Sequence, residues 1–161
     1  MTGTGGGGFR LPWRRGRGRP MAMIEHVRPA GRRHVVSLEL GPQAVRRARE
    51  AVAGLLFGAG VVPDSAFFDA VLLVTSELVT NVVRHAARSP VMDVSVTVAA
   101  GRLVVGVADA EPRLPDLSEE GMGAGLRMVA EVAADYGGDV SAEPAVDHDG
   151  KVVLVRFALP V

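Results

Sequence analysis

From residue 34 onward the apolar residues switch repeatedly between two periods, and glycine or proline marks most of the switches. A period of two buries one face of a strand, and a period near 3.6 buries one stripe of a helix. A chain with this alternation must fold in layers of strands and helices. Val35, Leu38 and Leu40 predict a first strand over residues 34–40. Pro42 opens a helix to about Phe57, with Arg46, Arg47, Arg49 and Glu50 on its polar side and Gly58 and Gly60 ending it. Asp64 or Ser65 caps a longer helix reaching about Arg88. Residues 91–99 and 102–108 alternate as two strands joined at Ala100-Gly101. A loop rich in proline and acids leads to a third helix, from about Gly123 to Tyr136, which Gly137-Gly138 stops. Strands over 140–143 and 151–159 flank the turn-rich segment 147–150. The expected fold class is α/β (α+β): a two-layer sandwich with a mixed, mostly antiparallel sheet and helices on one face.

Residues 1–33 break the pattern. Five of the first eight residues are Gly, and the segment carries eight Arg against one acid, Glu25. The formal net charge of zero therefore sums a +7 arm and a −7 domain. The division expected is a disordered basic arm over 1–33 and one domain over 34–161. Trp13 among Arg14, Arg15, Arg17 and Arg19 would suit stacking on a nucleic-acid base. A solvated tail, or sequence upstream of a start at Met21 or Met23, accounts for the same composition. Elsewhere the negative domain opposes nucleic acid. The lack of cysteine excludes disulfides, thiolate metal sites and a cysteine nucleophile, and fits a cytoplasmic location. The longest apolar run, residues 51–62, is short of the roughly 20 residues of a membrane span, and the basic N-terminus lacks a signal peptide's apolar stretch.

The long helix carries a polar stripe. At about 100° per residue, Glu77, Asn81, Arg84 and Arg88 fall within about 60° of one another, with His85 on the same side. Phe68, Leu72, Val79, Val82 and Ala86 occupy the other side and read as core. An ordinary solvated face has this spacing too. Asparagine, however, is a poor helix-interior residue, and a Glu–Asn pair one turn apart can combine a general base with an oxygen ligand for a hard cation.

The strand over 102–108 delivers Asp109 to the start of a loop. Twelve residues on, Gly121, Gly123 and Gly125 alternate in GMGAGL and run into a helix, where backbone amides can approach an anion. A flexible glycine-rich helix entry would read the same way, and Asp109 could equally be a turn residue. A P-loop is excluded: there is no GxxxxGK[ST], and the only lysine, Lys151, lies in a strand. A Rossmann site would need a second βαβ half that the remaining residues do not hold.

Together, ExxxN on a helix, a strand ending in Asp, and GxGxGL opening a helix resemble the GHKL (Bergerat-fold) ATP-binding superfamily, and within it the anti-sigma-factor serine kinases and their regulatory relatives. TSELVTNVVRHA is the strongest single match. The resemblance spans residues 34–159. It implies ATP and Mg2+ as cofactors, with Glu77 as general base and Asn81 as ligand of the Mg2+ that bridges the phosphates. It further implies Asp109 as acceptor for the adenine amino group, and the amides of Gly121, Gly123 and Gly125, with Leu126 opening the helix, on the phosphates. Arg84 and His85 correspond more loosely to a basic position near the nucleotide. The implied partners are a sigma factor and an anti-anti-sigma protein whose serine is phosphorylated, and relatives commonly form homodimers. One position departs from the pattern. Glu111 stands where the family places a small residue, adding negative charge in an already acidic loop. The alternative expectation is therefore a binding module that sequesters a sigma factor or another protein without catalysis. A histidine-kinase reading fits less well, because it needs a dimerising helix pair upstream of residue 34.

Overall fold

A computed structural model describes residues 31–86, 89–146 and 149–160. The expected arm, up to residue 30, and Arg88 lie outside the described residues. The elements run β1 (Arg32–Glu39), α1 (Ala44–Gly58), α2 (Ala66–His85), β2 (Val91–Ala99), β3 (Arg102–Asp109), α3 (Ala124–Asp135), β4 (Val140–Pro144) and β5 (Lys151–Ala158). The strands form one sheet in the order β1-β2-β3-β5-β4. Every pairing among the described residues is antiparallel, so the sheet they form is antiparallel and not mixed. β1 starts two residues inside the segment expected to be arm.

The three helices pack on one face of the sheet. Met92, Val94 and Val96 of β2, Leu103, Val105 and Val107 of β3, and Val155 and Phe157 of β5 meet buried residues of all three helices in one core. α2 is central to this core. It is long and apolar enough to qualify as a membrane span by composition, with a mean hydropathy of 1.6, but its apolar side is the core stripe itself. Phe68, Leu72, Val79, Val82 and Ala86 are all buried, as the helical period predicts. On the sheet's other face a smaller cluster of Ala108, Val152 and Leu154 is buried, and Ser37 Oγ donates to the buried Asp93 at 2.6 Å.

Local chemistry sets the boundaries. Between the two expected caps of α2, Ser65 takes the role: its hydroxyl accepts from the Phe68 amide at 3.2 Å, while Asp64 sits in the left-handed region at φ 58°. α2 ends at His85, short of Arg88. Ala86 leaves the helical conformation, and Ser89 N donates to the Ala86 carbonyl in the turn before Pro90. The β2–β3 hairpin closes on Ala100 and Gly101, both at positive φ, the geometry that matches strand twist. α3 stops in a Schellman arrangement, with Gly138 N donating to Ala133 O and Gly137 N to Ala134 O.

Gly138 also sits directly against the Arg156 carbonyl, where a Cβ would overlap backbone that cannot move aside. Gly138→Ala is expected to cost about 2–4 kcal/mol of stability. Denaturant unfolding checks this, and an unchanged midpoint would contradict the packing described. Beside this corner, Phe67 of α2 meets Tyr136 and Phe157 edge-on, with ring centroids 5.1 and 5.8 Å away. These contacts hold the start of α2, the end of α3 and β5 together.

Candidate active site

The second half of α2, the end of β3, the start of β5, the loop over residues 110–123 and the first turn of α3 surround a pocket of ≈ 740 Å3. Asn81, Arg84, His85, Asp109, Gly121, Gly123, Gly125 and Leu126 all line it, so the fold brings residues far apart in sequence to one pocket. Glu77 is the exception among the expected site residues. It is half-buried one turn before Asn81, off the pocket wall, with Oε2 so close to Gly125 that a Cβ there would lie 2.6 Å from it. The glycine is what lets α3 pass the carboxylate.

Asp109 occupies the deep end and is 1% exposed. Its Oδ1 accepts from the Glu111 amide at 2.8 Å, which turns the chain out of β3. The same oxygen accepts from Lys151 Nζ at 3.1 Å, and Nζ also donates to the Glu111 carbonyl at 3.2 Å. Burial pushes the Asp109 carboxyl above its ordinary 3.8, against the opposing pull of Lys151 and of the Glu111 amide. The folded value exceeds the unfolded one, so this group's contribution to stability is complete below about pH 3.8 and is lost as pH rises through the folded value. The unfolding free energy of the native chain is therefore expected to fall relative to Asp109→Asn across that window. Urea titrations at pH 4 to 6 check the slope; a parallel dependence in both proteins would contradict it.

Lys151 is a site residue that sequence reasoning missed. In sequence it was only a strand lysine far from the glycines. Its place depends on β5 pairing with β3, which sets Lys151 directly opposite Asp109. Glu111, the departure from the family pattern, contributes its backbone amide and carbonyl to this cluster. Its carboxylate turns back to accept from Arg113 N at 3.2 Å.

The loop is bonded to itself. Ser118 donates through its amide and hydroxyl to Asp116 Oδ1, and these bonds hold the Asp116 carboxyl below the usual carboxylate range. Gly121 lines the pocket, and in this arrangement its N–H is engaged within the loop, donating to Ser118 Oγ at 3.1 Å. Arg127 Nη2 ties the loop to α3 through the carbonyls of Glu119 and Met122. By contrast, the first turn of α3 has no side-chain cap on its N-cap Gly123. Ala124, Gly125 and Leu126, the first three helical residues, line the pocket with their amides outside the helical ladder. Ala124 was not singled out in sequence. An uncapped helix start facing a pocket suits an anion such as a phosphate group.

The sequence matches the histidine kinase-like ATPase domain over residues 38–157, most of the chain. The chain belongs to this family. Among solved structures, the RsbU and RsbW domains of a Mycobacterium tuberculosis protein superpose with a TM-score of 0.59 at 18% identity, covering 80% of this chain. The chain spans 32% of that structure's chain, about a third of its length. A chain of the SiaB–SiaC complex from Pseudomonas aeruginosa gives 0.56 at 13% identity, covering 86% of this chain and 98% of the other. The ATP binding domain of PrrB from M. tuberculosis gives 0.50 at 19%, covering 79% and 98%. At these identities the likeness is one of fold. No curated protein sequence matches the chain.

A histidine kinase-like ATPase domain implies a nucleotide and its magnesium, and the donor set here can be tested against the metal. Among the described residues no group of three or more His, Cys, Asp or Glu could form a closed cage. Asn81 does offer a neutral carboxamide oxygen on the pocket wall. That suits Mg2+, which keeps several waters and is completed by substrate phosphates instead of a full protein shell.

Proposed function

We propose that the chain is an ATP-dependent serine protein kinase of the anti-sigma type, binding a sigma factor and phosphorylating an anti-anti-sigma partner in the cytoplasm. The observation that carries this reading is the convergence in one pocket of Asn81, the buried Asp109 and the uncapped start of α3, with Glu77 beside Gly125. Asp109 Oδ2 takes the adenine amino group. The amides of Ala124, Gly125 and Leu126 take phosphate oxygens, while Arg84 adds positive charge and His85 a ring nitrogen at the pocket's edge. Asn81 would hold Mg2+, which when bound neutralises phosphate charge. Glu77 accepts the proton of the partner's serine hydroxyl as the bond from Oγ to the γ-phosphorus forms and the bond to the β-phosphate oxygen breaks, releasing ADP. Positioning and charge neutralisation carry this chemistry, so a pocket with few catalytic groups suffices. That the same fold occurs in a solved two-protein complex supports a partner-directed role.

The alternative reading, a module that sequesters a protein partner without catalysis, draws on two bonds already made: Gly121 N to Ser118, and Asp109 Oδ1 to Lys151. Incubation with anti-anti-sigma domains and γ-labelled ATP separates the two. Phosphoserine on the partner is expected; ATP binding and partner capture without label would favour the alternative.

Gly125→Ala supplies a sharper probe. The new methyl must displace the flexible end of Glu77, and alanine is the better helix former, so stability should stay within about 1 kcal/mol of the native chain. Phosphoryl transfer should nonetheless fall at least about tenfold. A variant that labels its partner at the native rate would show that the position of Glu77 is not critical.

A further inference from the structure

We infer that Lys151 is a specificity-determining residue of the pocket, donating to the ring acceptor of the base beside the Asp109 carboxylate. The inference rests on the ATP reading of the site and deepens it. Lys151 begins β5 opposite Asp109, the last residue of β3, and both line the pocket. The Lys151 side chain is 12% exposed, and its ammonium is held by Asp109 Oδ1 at 3.1 Å and the Glu111 carbonyl at 3.2 Å. An ammonium has three N–H donors, and the third has no acceptor among the described residues.

Asp109 is used in the same asymmetric way. Its Oδ1 receives both the Glu111 amide and Lys151, while Oδ2 receives no donor among the described residues. The deep end of the pocket thus pairs one open acceptor with one open donor, each fixed by bonds already formed. Such a pre-set pair loses little freedom when a ligand arrives. The Watson–Crick edge of adenine carries the complement, an amino N–H at N6 beside the ring acceptor N1. Guanine in the same orientation would set O6 against the carboxylate and N1–H against the ammonium, a mismatch at both points. Without the lysine, the carboxylate could still hold N6, but nothing fixed would read N1.

Calorimetric titration of the full chain with Mg-ATP and with Mg-1-deaza-ATP, which replaces N1 by C–H and keeps the amino group, tests this. The native protein is expected to bind the deaza analogue about tenfold or more weakly, the cost of leaving a charged donor unpaired. Lys151→Met is expected to bind ATP more weakly and to bind the two nucleotides within about twofold of each other. Equal binding of both nucleotides by the native chain would overturn the inference without any variant, so a poorly folding Lys151→Met does not protect it. A folded Lys151→Met that keeps the native discrimination would also overturn it. Failure to bind ATP at all would instead overturn the ATP reading on which it rests.

Discussion

Alanine at Glu77 is expected to slow phosphorylation of the partner serine by about 10^2- to 10^4-fold, the usual contribution of a general base, while Mg-ATP affinity stays within about threefold. The split between rate and affinity follows from where the side chain sits. Glu77 is off the pocket wall, so removing it takes no direct contact from the nucleotide. It lies one turn before Asn81 and against Gly125, at the junction of α2 with the start of α3. Helix α2 is anchored there by the buried Leu78, Val79 and Val82, so the carboxylate is presented from a rigid element. Half-buried and exposed on one side, Glu77 is replaceable by alanine with little loss of stability, and thermal unfolding of the variant should confirm that. Glu77→Gln separates charge from shape: it keeps the contact with Gly125 but cannot take a proton, so it should be as slow as the alanine variant. Single-turnover labelling reads the rate directly. A variant that labels at the native rate removes Glu77 from the chemistry.

Asparagine at Asp109 is expected to weaken Mg-ATP binding by about tenfold to a hundredfold, the value of a hydrogen bond to a charged acceptor. The substitution preserves size in a position where only 1% of the residue is exposed. An amide oxygen in place of Oδ1 can still accept from the Glu111 amide and from Lys151. The amide nitrogen then replaces Oδ2 and points a donor at the adenine amino group. The ammonium, 12% exposed, also loses its counter-charge, so some stability should be lost as well. Comparing affinities for ATP and for purine riboside triphosphate, which lacks the amino group, isolates the base contact. The native protein should prefer ATP, and Asp109→Asn should not. Equal preference in both proteins would mean that Asp109 has only a structural role.

Much of this was legible in the sequence, for reasons that are local. The α2 core stripe, the Ser65 cap, the Ala100-Gly101 hairpin and the Gly137-Gly138 stop each follow from residues within one or two turns of one another. The stripe of Glu77, Asn81, Arg84 and His85 follows from helical periodicity alone. What the sequence did not disclose depends on pairing at a distance. Lys151 reaches Asp109 because β5 inserts between β3 and β4, an order no local pattern specifies. The capture of Gly121 N by Ser118 and the latch of Arg127 on the loop carbonyls depend on side-chain rotation within an irregular segment, where no period exists to read. Helix α2 stops at His85 because Ser89 and Pro90 turn the chain toward β2, which helical periodicity, continuing through Arg88, could not register.

On the proposed reading the pocket holds a nucleotide, with Asp109 taking the base, the α3 amides the phosphates, and Asn81 the metal that would neutralise them. Calorimetric titration of the full chain with ATP, run with and without Mg2+, tests it most directly. Saturable one-to-one binding is expected, stronger with Mg2+ and weakened in Asn81→Ala only when the metal is present. Absence of heat and of saturation in native protein shown to be folded would contradict it.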